Sequence, residues 1–234
     1  MPLSSFYLLC GSGKSSVLLT LLRLINLQSG EIQIDGVDIN RLPQGLLRQR
    51  CFITVSQDAL LLPSETLRFN LDPDNSASDE VLVRAIHTTG LWQHFRGDVS
   101  HGYDEGETDG YHDDPLLDRK MSTFSEFSVG QLQLFALCRA VVKAETLRDR
   151  GALPIVLLDE ATSALDSAVE AAVHLIIDQE FSGKGHTVIM VSHRIGGLFN
   201  DPKPERDVVL WMRDGRAEEV AGDPGAALWN ELES

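Results

Sequence analysis

The chain has 234 residues, 43% of them hydrophobic, with a net charge of −15 and a pI near 4.7. That is enough apolar material to bury one large core or two small ones. The acidic balance argues against nucleic acid as a partner, because phosphates attract clusters of Lys and Arg. Eight of the acids lie between Gly97 and Asp118, where there is no Lys or Arg, so one stretch holds about half of the imbalance.

Three cysteines, Cys10, Cys51 and Cys138, cannot all pair within one chain and follow no C-x-x-C spacing, which predicts free thiols in a reducing cytosol. Apolar runs fall short of the roughly 20 residues that span a bilayer. The opening Met1–Cys10 lacks a basic n-region and a small residue before the cysteine, so it is not read as a leader.

Phe6–Leu9 reads as a short buried strand leading into Cys10-Gly-Ser-Gly-Lys-Ser-Ser16. Val17–Leu27, apolar on nearly every side, predicts one long buried helix. Glu31–Asp35 alternates with period two, and Asp35-Gly36 signals a hairpin turn before Val37–Ile39. Cys51–Val55 is another strand candidate, ending at Gln57. Between about Ser64 and Val142 the patterning turns helical, with Asp79–Thr88 and Gln131–Ala144 as its clearest helices. Ile155–Leu158 is continuously apolar, as a strand buried on two sides requires, and Val188–Val191 repeats that after a helix predicted over Ser167–Glu180. Val208–Met212 and Ala217–Val220, joined by Asp214-Gly215, close the chain as a hairpin. Strands alternating with helices predict an α/β fold with a mainly parallel sheet.

Three local patterns carry chemistry. Gly11, Ser12, Gly13, Lys14, Ser15 and Ser16 have the residue types of a phosphate-binding P-loop. Glycines let amides turn inward around phosphate oxygens, and the following helix offers its positive end. Lys14 would reach the β- and γ-phosphates, and the Ser15 hydroxyl would ligate Mg²⁺. The full pattern G-x-x-x-x-G-K-S/T wants a glycine where Leu8 stands, and its loss predicts weaker nucleotide binding. Second, an apolar strand ending in Asp159-Glu160 offers one carboxylate to Mg²⁺ through water and another to polarise an attacking water. Third, in Phe127-Ser-Val-Gly-Gln131 the Ser128 hydroxyl is positioned to cap a helix whose first amides, near Gly130, form a second anion site.

Taken together and in this order, these segments resemble the ATP-binding-cassette (ABC) transporter family, with Phe127-Ser-Val-Gly-Gln131 similar to its signature motif. Six motifs follow the family order over almost the whole chain. Gln57 looks like the Q-loop glutamine, a ligand to Mg²⁺ and water; Ser163-Ala-Leu-Asp166 resembles the D-loop; His193 in Val191-Ser-His193-Arg looks like the switch histidine at the γ-phosphate. Thr66–Pro73 and Phe127–Gln131 are similar to the second cassette of the multidrug-resistance-associated (C) subfamily. The resemblance implies a RecA-like, P-loop NTPase core over residues 1–62 and 150–234, with an inserted helical subdomain over 63–149 carrying the signature. The family's antiparallel β region before the P-loop strand, with its adenine-stacking aromatic, is expected to be truncated, since only ten residues precede Gly11. Tyr7 is a weak substitute for that aromatic, and the chain reads as a fragment or truncated product.

The implied function is binding and hydrolysis of Mg-ATP to drive transmembrane transport. Catalytic roles fall to Glu160, His193 and Gln57, and Mg²⁺ ligation to Ser15, Gln57 and Asp159. The implied partners are a second cassette, in a head-to-tail dimer where Ser128, Gly130 and Gln131 act on the partner's ATP, and the membrane domains of a transporter, at the cytoplasmic face of a membrane. A retained Glu160 implies a hydrolytically competent half. Two other readings stay open: a non-catalytic remnant with weak or no nucleotide binding, and a soluble ABC ATPase outside transport. The latter is disfavoured by the absence of heptads and of a second cassette. A P-loop kinase would not need the signature. His101 and His112 in the acidic stretch are read as part of a solvated loop rather than a metal site, and Cys10 as a small buried residue rather than a reactive thiol.

Overall fold

The computed structural model describes residues 5–9, 13–56, 59–97, 115–161, 165–192, 207–213 and 216–219. The chain divides into two compact units, one of Met1–Gln57, Ala152–Ser163 and Ser167–Ser234, the other of Asp58–Gly151 and Ala164–Asp166.

The first unit is built on a six-stranded sheet in the order β4-β5-β6-β1-β7-β8, formed by β1 (Ser5–Leu9), β4 (Phe52–Val55), β5 (Ile155–Asp159), β6 (Val188–Ser192), β7 (Asp207–Arg213) and β8 (Arg216–Glu219). All neighbours run parallel except the closing β7–β8 hairpin. The continuous apolar runs of β5 and β6 follow from burial on both faces: Val156, Leu157 and Leu158, like Val188, Met190 and Val191, are all buried. A separate antiparallel pair, β2 (Gln33–Ile34) and β3 (Val37–Asp38), is joined through Asp35 at φ 49° and Gly36 at φ 76°. Two successive positive φ values are what a tight hairpin turn needs, and Asp-Gly supplies them cheaply. Each strand keeps only two ladder residues, fewer than the alternation over Glu31–Asp35 suggests, although Ile39 N–H still reaches the Ile32 carbonyl at 2.9 Å.

One face of the large sheet is covered by helix α1 (Lys14–Leu21). Leu8 of β1, Leu157 of β5, Val191 of β6, Phe52 of β4 and Met212 of β7 pack in one cluster with Leu18, Val17 and Leu21 of α1. The predicted helix over Val17–Leu27 is corrected here. The helix stops at Leu21, and Leu19, Leu24, Ile25 and Leu27 are exposed. The stop is an αL ending: Arg23, at φ 51°, donates its N–H to Thr20 O at 2.9 Å, and Leu24 N–H reaches Leu19 O at 2.8 Å. Glycine usually fills that position. Here the Arg23 guanidinium secures it by donating to Ile39 O at 3.1 Å and Leu42 O at 2.6 Å. Arg48, in the π-helical turn Leu47–Cys51 that continues the short helix α2 (Gln44–Leu46), donates to the last carbonyls, Leu22 O at 2.9 Å and Arg23 O at 3.0 Å. Cations are favoured at that negative end of a helix.

The second unit is helical, formed by α3 (Leu67–Leu71), α4 (Asp79–Thr88), α5 (Trp92–Gly97) and α6 (Val129–Asp149). Side-chain caps start three of these. Thr66 accepts from Phe69 N–H, Ser78 from Val81 N–H, and Ser128 from Gln131 N–H. Helices α4 and α6 pack together, and Leu82 and Ile86 of α4, Phe95 of α5 and Phe135 of α6 are all buried. Cys138 sits fully buried there, and its thiol is pushed up to about 12 by burial. Helix α7 (Ser167–Ile176) belongs to the first unit and ends in a π-helical turn, Ile177–Phe181, so the α-helix itself is shorter than predicted. No helix among the described residues is long and apolar enough to cross a membrane.

Candidate active site

In the first unit the C-terminal ends of the parallel strands form one edge. Leu8 of β1 pairs with Val191 of β6, and Val191 pairs with Asp159 of β5, so the three stand in one row. Adjacent strands are spaced at about 4.8 Å, which sets β1 and β5 about 10 Å apart across β6. Residues in one row of a parallel sheet project to the same face. That face is the one α1 covers, because Leu8, Val191 and Leu157 share one hydrophobic cluster with its Leu18. Asp159 therefore lies at the same edge and on the same face as the start of α1.

That start has the features of an anion site. Gly13, at φ 108°, occupies the N-cap in a left-handed conformation open to glycine at little cost. Gly13 has no side chain to cap the first turn, and no acid stands in that turn. The amide ends and the helix dipole thus face outward with partial positive charge. Lys14 is the first helical residue and only 4% exposed, whereas Ser15 and Ser16 are exposed. A buried lysine at the N-terminal end of a helix favours a multiply charged anion. A hydroxyl and a carboxylate, Ser15 and Asp159, are the hard oxygen donors a small divalent cation accepts.

Glu160 follows Asp159 with φ 51°, a conformation that costs a non-glycine residue about 1–2 kcal/mol. Its N–H donates to Val191 O at 3.1 Å, so the ladder holds the turned backbone in place. Strain retained at a strand tip is a frequent companion of function. Ser192, buried, ends β6 opposite Leu9. His193, the next residue, lies outside the described residues, as do Gly11, Ser12, Gln57, Ser163, His101, His112 and Cys10.

Leu8 is a core residue of β1, 3% exposed, and the strand ends at Leu9. Tyr7 sits mid-strand between Met190 and Val209, two residues short of the strand end.

Ser128, Gly130 and Gln131 belong to the second unit. Ser128 Oγ accepts from Gln131 N–H at 3.2 Å, and Gln131 Oε1 accepts from Ser128 N–H at 2.9 Å, a reciprocal capping box. Ser128 remains exposed, so its hydroxyl hydrogen can face a ligand while its oxygen caps the helix. Asp166, in the same unit, is exposed one residue before α7. Among the described residues no cluster of His, Cys, Asp and Glu has a metal-binding arrangement.

A family model described as ABC transporter matches residues 9–163. The chain is similar to ABC multidrug transporter B of Aspergillus fumigatus, at 32% identity over 221 residues, covering 94% of this chain and 13% of that protein. It is 36% identical over 210 residues to ABC transporter C family member 9 of Arabidopsis thaliana, covering 89% of this chain and 12% of that protein. With ATP-binding cassette sub-family C member 8 of Rattus norvegicus it shares 35% identity over 205 residues, covering 88% and 11%. The chain thus spans about one eighth of the length of the curated relatives it matches. Its match to the family model over most of its length, and its similarity to C-family members from plant and mammal, mean that the chain belongs to the ABC transporter family, in the C subfamily.

Proposed function

We propose that this chain is a cassette, of the second-cassette type, that binds Mg-ATP and hydrolyses it against a second cassette to drive transport. The first unit serves as the ATP-binding core and the second as the helical subdomain that carries the signature. The observation that carries this reading is the shared edge and face of Gly13-Lys14-Ser15 and Asp159.

Phosphoryl transfer asks a protein for positioning and charge neutralisation more than for covalent chemistry. Gly11, Ser12 and Gly13 with the α1 amides cradle the phosphates, Lys14 neutralises the β- and γ-oxygens, and Ser16 closes the first turn. Ser15, Asp159 and Gln57 would hold Mg²⁺, which when bound would neutralise charge on the phosphate oxygens. Glu160 orients a water in line with the γ-phosphorus and accepts its proton as the bond to the ADP oxygen breaks. His193 contacts the γ-phosphate. Ser128, Gly130 and Gln131 serve the ATP held by the partner cassette, and Asp166 lies in the segment between the two. Partners of this kind, with membrane domains beside them, place the cassette at the cytoplasmic face of a membrane.

Nucleotide-titrated melting of the purified chain tests the binding step, because a ligand of the folded state raises Tm by mass action. A rise with millimolar Mg-ATP is expected, and no rise favours a non-catalytic remnant. Glu160→Gln in the cassette joined to its transporter tests hydrolysis. ATP should still bind while turnover collapses; unchanged turnover removes Glu160 from the base role.

A further inference from the structure

Asn70 is a buried polar side chain whose hydrogen-bonding capacity is fully used. Its Nδ2 donates to Leu62 O at 3.0 Å and Thr66 O at 2.9 Å, and its Oδ1 accepts from Leu62 N–H at 2.8 Å. The pair of bonds to Leu62 imitates a strand ladder, so Leu62, in the segment 59–66 that begins two residues beyond Gln57, is tied to α3 through the Asn70 side chain. From α6, Arg139 completes the set: its Nε donates to the Asn70 carbonyl and its Nη2 to Asn70 Oδ1 at 3.4 Å. The Arg139 guanidinium also lies over the Phe135 ring, 4.9 Å from its centroid. Phe135 meets Phe127 edge-on at 5.6 Å, and Phe127 directly precedes Ser128. A continuous path of hydrogen bonds and ring contacts therefore runs from Leu62 to the residue before the helix cap, all within the second unit.

We propose that Asn70 and Arg139 are positioning residues that tie the segment following Gln57 to the signature residue Ser128. Displacement of that segment is transmitted to the start of α6, and with it to the capping box that sets the Ser128 hydroxyl. The coupling travels through a hydrogen-bonded and packed chain with a rigid helix at its end, the kind of network able to carry it. Arginine suits the role because its planar fork bonds a carbonyl and an amide oxygen together while its face rests on an aromatic ring, which lysine does not reproduce.

The inference rests on the proposed role of Ser128, and its first test needs no nucleotide. Amide hydrogen exchange of the whole chain is followed at Gln131, whose N–H bonds to Ser128 Oγ. Asn70→Asp turns the donors facing Leu62 O and Thr66 O into acceptors, and should speed exchange at Gln131 by about tenfold, the scale of one lost hydrogen bond. In an Arg139→Lys background the same change should alter Gln131 exchange by less than about twofold, because the link is already cut. No effect in the parent chain, or an equal effect in both backgrounds, overturns the proposal.

If either variant does not fold, denaturant-dependent exchange of the unsubstituted chain decides. Leu62 and Gln131 amides should open as one unit with one slope, and separate openings sink the relay. In the paired cassettes Arg139→Lys should lower turnover while leaving the ATP affinity of its own P-loop unchanged. Weakened affinity at that loop would mark a general structural defect instead. Absence of any Mg-ATP effect on the melting of the unsubstituted chain would point instead to failure of the ATP reading itself.

Discussion

Leu8 and Asp159 stand in one row of the parallel sheet, each paired with Val191 between them. One is a core side chain at 3% exposure; the other ends its strand half-buried at the sheet edge. The row explains how a P-loop that lacks its first glycine is accommodated. Position 8 here is a ladder and core position of a strand that runs on to Leu9.

Restoring the pattern should therefore harm the fold. Leu8→Gly removes a buried leucine, which costs about 3–5 kcal/mol when the site cannot collapse. It adds about 0.5–1 kcal/mol for glycine in a strand. Denaturant unfolding should show a lower midpoint with little change of slope, and a midpoint within error of the parent would contradict the placement of Leu8 in the core.

Arg23 sets two effects against each other. Its αL backbone costs about 1–2 kcal/mol, which glycine would relieve. Its guanidinium bonds to Ile39 O and Leu42 O are charge-assisted and contribute about 1.5–3 kcal/mol each. The bonds outweigh the strain, so Arg23→Gly should destabilise the chain. Arg23→Asn, which tolerates αL but cannot reach both carbonyls, should do the same. A stabilised Arg23→Gly chain in chemical unfolding would show the bonds to be idle.

Ser128→Ala removes the hydroxyl that accepts from Gln131 N–H and should cost about 1 kcal/mol. For a chain of this size that is about 2–4 °C in Tm. Circular dichroism should show the helix content nearly unchanged, because α6 is held by its buried Phe135, Leu137 and Val141. Ser128→Asp keeps the cap and so should restore Tm; with its charge repelling phosphate, turnover in paired cassettes should not recover. Recovery of both would separate Ser128 from the nucleotide.

His174, on α7, has its Nε2 buried, with no hydrogen-bond partner among the described residues. Burial holds the imidazole below its usual range, with Glu170 partly offsetting this. The unfolded chain then takes up the proton first as pH falls. The group's contribution to stability is complete above its unfolded value of 6.5 and is lost as pH drops through the depressed folded value. His87, depressed by burial and by Arg96, acts in the same direction. Melting between pH 7 and pH 5 should show a smaller acid-side loss in His174→Leu than in the parent. An identical loss would assign the acid sensitivity elsewhere.

Elements governed by neighbours in sequence are legible in the residues alone. Asp79–Thr88 is the helix its pattern predicts, with Ser78 as its cap, and the Asp35-Gly36 turn forms as read. The strands β5 and β6 appear where continuous apolar runs placed them, each one residue longer. The end of α1 was not legible, because the residue that stops it is an arginine whose αL backbone depends on carbonyls 16 and 19 residues away. The pairing of Asn70 with Arg139, 69 residues apart, leaves no periodic trace in either helix.

Capping, turn formation and hydrophobic alternation are interactions over a few residues, so residue order alone determined them, along with the set of chemical groups available for phosphate and metal. Which strand lies beside which is decided by how whole faces bury one another, and only the folded sheet put β6 between β1 and β5. That neighbour relation, rather than any motif, is what brings the start of α1 and Asp159 to one face of one edge.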